Sequence, residues 1–389
     1  MNEEELRAFA VELAHKFIIA DSHVDLPERL KSINYFSSPD TSIVVKTDKG
    51  DFDYERAKKG GLDAPFMSIY VPSSYQLQSD KGKGYADSLI NMVESIAGAL
   101  PNKFTLAKTA EDVEENFKAG KISFPMGLEN GAPIGDDLSN IQYFRNRGIS
   151  YITLTHGRNN QICDSSYDST HTWNGLSTFG YKVVKEMNRV GIMVDISHVD
   201  DSTFYQVMKI SEAPCIASHS SCRYFTPSFQ RNMSDDMIKT LAANEGVIQI
   251  NVGSNFLDST VAKYNHENSD KLDALLKEKN LKSSDKEAEE ITSNFWKQNQ
   301  RHFADVEAVA NHIDHVVKLV GINYVGIGSD FDGVGDSLPT GLKDVSMYPN
   351  LIYSLLKRGY SESDIEKICS GNLFRVWKQV VKLSESKKS

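Results

Sequence analysis

Short apolar runs alternate with longer amphipathic stretches along almost the whole chain. The runs are 17–23 (FIIADSH), 65–71 (PFMSIYV), 122–129 (ISFPMGLE), 149–156 (ISYITLTH), 191–198 (GIMVDISH), 214–219 (PCIASH), 246–252 (GVIQINV) and 324–330 (YVGIGSD). Most are nearly continuous in apolar residues, as strands buried on both faces of a parallel sheet should be. Between them, segments such as 88–100, 178–190 and 235–245 repeat apolar residues at helical spacing. The N-terminal stretch MNEEELRAFAVELAHKF is charged and amphipathic and reads as one more helix. Strand and helix alternating with this count predict an α/β fold, a single (β/α)8 TIM-type barrel over 1–389, in preference to an open doubly wound sheet.

One segment breaks the rhythm. Residues 258–300 are rich in charge and lie between the seventh and eighth runs. That is too long for a plain loop, so a helical insertion near the barrel mouth is expected. It reads equally well as a solvated excursion and as a cover for a substrate.

Composition narrows the partners more than the fold. The 389 residues carry a formal net charge of −10, which argues against a nucleic-acid surface. Cys163, Cys215, Cys222 and Cys369 are scattered without paired spacing, so neither a zinc ribbon nor a disulfide framework is expected. Cys215 lies inside an apolar run and reads as core. No apolar stretch reaches the length of a membrane span, and the C-terminal LSESKKS lacks the tail of a lipid-anchor signal. The expected setting is cytoplasmic, or periplasmic or secreted if a leader precedes Met1.

The chemistry sits at the ends of the apolar runs. In a barrel the strand C-termini converge on one face and catalytic groups come from several of them. Here those ends carry His23 and Asp25, Glu129, His156, His198, His219 and Asp330. A lone strand-end histidine is more often a hydrogen-bonded core residue, and a lone His-x-Asp is common by chance. Imidazoles and carboxylates together at equivalent ends of different strands are hard to explain by packing, and they form the ligand set of zinc or a similar divalent ion. The i, i+2 spacing of His23 and Asp25 directs both from one face of an extended strand. His198 and His219, each ending a run in Ser-His, should be neighbours. Glu129 could then bridge a site of His23 and Asp25 to a site of His198 and His219. His15, His171, His266, His302, His312 and His315 read as solvated or structural, with His171 in a loop on the same face. No phosphate-cradling glycine motif and no serine-nucleophile elbow is present.

At this point the chain resembles the renal (membrane) dipeptidase family, a binuclear zinc branch of the amidohydrolase superfamily. ADSHVDLP, GLENG (127–131), LTHGRNN (154–160), the long stretch 174–200, IASHSSCR (216–223), QRN (230–232) and GIGSDFDG (326–333) are similar to its successive signatures, in order, and 341–377 resembles its closing segment. The resemblance implies two zinc ions per chain, one held by His23, Asp25 and Glu129, the other by Glu129, His198 and His219. It implies that His156 contacts the substrate carbonyl, that Arg231 receives the substrate carboxylate, and that Asp330 is the catalytic acid/base. Read alone, Arg231 would be a surface arginine in a polar loop.

The implied reaction is hydrolysis of dipeptides with a free C-terminal carboxylate by a hydroxide bridging the metals, with Arg231 measuring substrate length. A homodimer is also implied. One departure bears on specificity: where the family often has Asn-Phe-aromatic after the seventh strand, this chain has Asn251-Val252-Gly253. An aromatic wall of the pocket is therefore expected to be missing. The rival readings are an amidohydrolase acting on another small amide or lactone, and a metal-binding barrel without turnover. Glu129 in place of a bridging lysine, together with the full ligand set, favours the dipeptidase.

Overall fold

Pro125 divides the third apolar run, because a residue without an N–H cannot continue a ladder. In the computed structural model, which describes residues 1–76, 79–282 and 285–386, the two halves of that run join different sheets. Strands are numbered in chain order: β1 Ile19–Val24, β2 Leu62–Tyr70, β3 Phe104–Leu106, β4 Ile122–Phe124, β5 Met126–Glu129, β6 Ile149–Thr153, β7 Met193–Asp195, β8 Ile216–Ser220, β9 Val247–Ile250 and β10 Val325–Ile327. β4 pairs with β3 in a two-stranded parallel sheet outside the barrel. The short segment Phe104–Leu106 is the one strand that the apolar pattern did not predict.

The other eight strands close into an all-parallel barrel in the ring order β1-β10-β9-β8-β7-β6-β5-β2. Every predicted run supplies one barrel strand. Apart from Tyr70, every residue of the eight barrel strands is buried, as the continuous apolar runs require. The N-terminal helix Glu3–Lys16 forms with a reciprocal cap between Asn2 and Glu5 and packs on helix Tyr348–Lys357.

The lower mouth of the barrel is plugged. Phe66, Tyr151, Met193, Ile216 and Val247 meet Phe374, Trp377 and Val380 of the C-terminal helix Asn372–Ser386 in one apolar cluster. Phe66 lies 6.0 Å from Tyr151 and 5.2 Å from Trp377, centroid to centroid. Gly127 makes room for this layer: a Cβ there would stand 1.9 Å from Cζ of Tyr151. The tyrosine ring crosses the barrel at that point, and the upper mouth is left to polar residues.

Between β9 and β10 the chain leaves the barrel in helices Ser259–Glu278 and Lys286–Gln298. These helices bury Leu272, Leu276 and Ala288 against each other in a small core of their own. Tyr264 stacks on His302 at 3.6 Å, and Asn265 donates to the carbonyl of His302 at 2.9 Å while accepting from its N–H at 3.0 Å. No helix among the described residues is long and apolar enough to cross a membrane.

Candidate metal centre

Glu129, the last residue of β5, is the hub. Its Oε2 lies 3.4 Å from His23 Nε2 and accepts from Ser68 Oγ at 3.1 Å. Its Oε1 lies 3.1 Å from His198 Nε2, 3.3 Å from His219 Nε2 and 3.6 Å from His156 Nε2. His23 Nε2 is also 3.4 Å from Asp25 Oδ2. The two oxygens of one carboxylate thus face two groups: His23 with Asp25, and His198 with His219. Burial acts to raise the Glu129 carboxyl, but the surrounding imidazoles, His23 first, hold it well below its ordinary value.

The run ends reach this point by different local routes. His23, Glu129 and His219 lie within strands. His198 and Asp330 lie three residues beyond the last paired residue, with φ of +71° and +66°. Such left-handed backbone is unfavourable for a side-chain-bearing residue and is typical of functional turns. Asp25 corrects one expectation. It is not on an extended strand but caps helix Leu26–Ser32, with φ −89° and ψ 30°. Its carboxylate is aimed by the strand-to-helix turn and still meets His23.

Hydrogen bonds outside the cluster set the tautomers. Tyr151 O–H donates to the carbonyl of Ser22 at 3.0 Å, so His23 Nδ1–H donates to the Tyr151 oxygen at 2.8 Å. In the neutral ring this leaves a lone pair on His23 Nε2, which is buried and without a hydrogen-bond partner. Burial opposes a charge there, but Tyr151, Glu129 and Asp25 together raise the ring's pKa well above the ordinary histidine value. Ser218 O–H donates to Asp195 Oδ2 at 2.6 Å, so His219 Nδ1–H donates to Ser218 Oγ at 2.8 Å. His219 Nε2 then turns a second lone pair toward His198 Nε2, 2.8 Å away. An orphaned buried nitrogen, facing ring nitrogens and convergent carboxylates are a donor set that fits divalent cations of the zinc type. Three overlapping triads here keep their ligand atoms within 4.8 Å of one another: His23-Glu129-His219, Glu129-His156-His198 and His23-Asp25-Asp330.

The cluster floors a cleft of about 600 Å³ whose walls include Glu28, Tyr70, His156, Tyr167, Phe256 and Asp330. His156 is a quarter exposed, its ring 4.7 Å from Tyr70, and burial lowers its pKa. Asp330 accepts from Asn251 Nδ2 at 2.7 Å, and burial, reinforced by Asp25 and Glu129, raises its carboxyl well above the ordinary range. Gly333 has to lack a side chain, since a Cβ would lie 2.2 Å from Asp25 Oδ2 and 2.3 Å from Asp330 Oδ1.

Arg231 differs from its reading as a surface residue: it is 3 % exposed, behind the cleft wall. Its Nη1 donates to Ser220 Oγ and its Nη2 to the carbonyl of His219, both at 2.7 Å, while Nε has no partner. The aromatic wall expected to be missing is present from other positions. Phe256 lies 5.5 Å from the Arg231 guanidinium carbon and 5.2 Å from Phe229, and Tyr167 lies 6.2 Å from Phe229. The described cleft walls draw Asn255 and Phe256 from the turn before the insertion and nothing from 258–300. The other histidines stay outside: His312 is buried between Cys222 N–H and the carbonyl of Leu257, and His171 is exposed, 3.9 Å from Asp200. All four cysteines are free and buried.

Tyr151, Asp195 and Ser218 were not singled out in the sequence, and Asn251 was named there without a role. Their signal was polar character inside otherwise apolar runs.

A parallel barrel that gathers imidazoles and carboxylates from separate strand ends around one central glutamate is the architecture of a metal-dependent hydrolase. Comparison with known proteins makes the class specific. The profile of the family described as membrane dipeptidase, peptidase family M19, matches residues 7–389, and the chain belongs to that family. Dipeptidase 3 of Mus musculus is 29 % identical over 388 residues, covering 99 % of this chain and 69 % of its own. Dipeptidase tcpJ of Claviceps purpurea (strain 20.1) is 30 % identical over 380 residues, covering 95 % and 78 %. Among solved structures, the probable dipeptidase PvdM from Pseudomonas aeruginosa superposes with a TM-score of 0.82 at 27 % identity, covering 98 % of this chain and 99 % of that one. The protein is a metal-dependent dipeptidase.

Proposed function

We propose that the cluster holds two zinc ions, one with His23, Asp25 and Glu129 and the other with Glu129, His198 and His219, and that the cleft above it hydrolyses dipeptides with a free C-terminal carboxylate. The observation that carries the division is the split of Glu129, with Oε2 at 3.4 Å from His23 Nε2 and Oε1 at 3.1 Å and 3.3 Å from His198 and His219. When bound, such cations make water nucleophilic near neutral pH and polarise a carbonyl.

The chain's own groups do the rest. His156, a quarter exposed in the wall, offers Nε2–H to the carbonyl oxygen as charge grows there. Asp330 is a partly buried carboxyl whose raised pKa suits it to hold a proton near neutrality and to pass it to the leaving amine. Asn251 fixes the oxygen from which that transfer runs. Arg231 is a buried cation whose recorded hydrogen bonds go to a hydroxyl and a carbonyl, with no carboxylate among them. Asp330, Asp195 and Glu129 act on its charge from a distance, but a buried charge without a carboxylate in contact is costly, and a substrate carboxylate would supply one. A longer peptide has no carboxylate at that distance, so Arg231 limits the substrate to two residues.

The test compares free and C-amidated forms of one dipeptide. Amidation should abolish turnover by the wild type, and Arg231→Met should raise KM for the free dipeptide at least ~tenfold, the size of a lost charge-assisted contact. Equal turnover of the amide would remove the carboxylate-reading role.

A further inference from the structure

The cleft has two chemically different ends. In the barrel ring, β8, which leads into the Arg231 loop, stands opposite β2. Helix Leu26–Ser32 packs on β2 and carries Glu28 one turn beyond Asp25. Glu28 and Arg231 therefore stand on opposite sides of the metal centre.

Glu28 is a partly exposed carboxylate of the cleft wall that the proposed chemistry leaves unused, whereas the Asp332 side chain is buried. Asp25 and Glu129 face the histidines, Asp330 is held by Asn251, and Asp332 accepts from Arg29 Nη1 at 3.3 Å and from the N–H of Asp51 at 2.6 Å. Glu28 Oε2 accepts from the Tyr85 hydroxyl at 3.2 Å. Its other oxygen makes a long ion pair with Lys31 Nζ at 3.9 Å, with no hydrogen bond, and Lys31 lies over the Tyr85 ring at 4.4 Å. A third of the Glu28 side chain stays exposed. The hydroxyl fixes the carboxylate, and its remaining acceptor capacity opens to the cleft. Tyr70, on the same side, offers an aromatic wall for an aliphatic stem.

With the substrate carboxylate at Arg231 and the scissile bond above Glu129, the N-terminal residue extends toward the β2 side. We propose that Glu28 selects dipeptides whose N-terminal residue carries a cationic side chain, as lysyl and arginyl dipeptides do. This rests on the dipeptidase reading and adds the substrate class.

The experiment measures kcat/KM of the metal-loaded enzyme for Lys-Ala, norleucyl-Ala and Glu-Ala, in the wild type and in Glu28→Gln. Norleucine matches the lysine stem without its charge. The wild type should favour Lys-Ala over norleucyl-Ala by about tenfold, the scale of a hydrogen bond to a charged group, with Glu-Ala the poorest. Glu28→Gln should bring the Lys-to-norleucine ratio close to one. Because both rates come from one sample, a partly unfolded variant does not alter the ratio. An unchanged ratio in Glu28→Gln overturns the inference. So does an equal loss on all three substrates, which would mean that Glu28 reads the α-ammonium. No turnover of any dipeptide by the wild type would overturn the dipeptidase reading, and this inference with it.

Discussion

At the scale of single residues, the donors that would touch metal are less unusual than the groups behind them. His23 is useful as a ligand because Tyr151 takes its Nδ1 proton, and His219 because the Asp195–Ser218 pair takes its own. Removing such a support frees the ring to turn and to exchange tautomers, which typically costs ~10–100-fold in metal affinity. Tyr151→Phe and Ser218→Ala should each weaken binding by that order, read by competition with a chromophoric chelator, while folded-state circular dichroism is retained. Affinity equal to the wild type in both variants would show that the supports are incidental. Asp330→Asn should instead keep the metal and lose turnover by ~100-fold or more, as expected for a proton-transfer group. The cluster was legible in the sequence as a candidate ligand set because few residue types can ligate zinc, and these stood at the ends of apolar runs. Their supports were not, since Tyr151 in ISYIT and Ser218 in IASH look like ordinary members of a buried strand until the topology places them beside a histidine.

At the scale of elements, the apolar runs predicted each barrel strand because a strand covered on both faces has to be continuously apolar. Three features lay beyond that rule. Pro125 splits one run between two sheets, Asp25 turns the first strand into a helix, and Phe104–Leu106 is too short to carry a pattern. The charged segment 258–300 was legible as helical but not as to what it covers, because amphipathic spacing does not say which surface the apolar stripe meets. Its stripe meets itself, through Leu272, Leu276 and Ala288. The C-terminal helix has the clearest energetic role. Trp377 is fully buried against Phe66 and closes the lower mouth. Trp377→Ala should destabilise the fold by ~3–5 kcal/mol, measured as a lower urea midpoint with an unchanged slope. A loss under ~1 kcal/mol would mean that the plug contributes little.

At the scale of the whole molecule, the barrel brings side chains from strands that are far apart in sequence, and spread around the ring, to one mouth. The donors come from β1, β5 and β8 and from the turn after β7. Without a cation this arrangement keeps buried lone pairs and carboxylates facing one another, so bound metal should add to the stability of the native state. Chelation is therefore expected to lower Tm, and re-addition of zinc to restore it. Because the imidazoles bind metal only when neutral, affinity should fall as pH is lowered. His23, raised well above the ordinary histidine value against the burial that opposes it, should take a proton first, and His198 and His219, held well below it by burial, last. An apo-protein with unchanged Tm would argue that the cluster is stable on its own. The most direct test of the central claim is to count metal and turnover on the same sample, using the wild type and Glu129→Gln with a free dipeptide. The account predicts close to two zinc ions per wild-type chain with dipeptide hydrolysis, and loss of both when the bridging carboxylate is removed. A wild type that binds no metal after reconstitution, or a Glu129→Gln chain that keeps two ions and full activity, would contradict it.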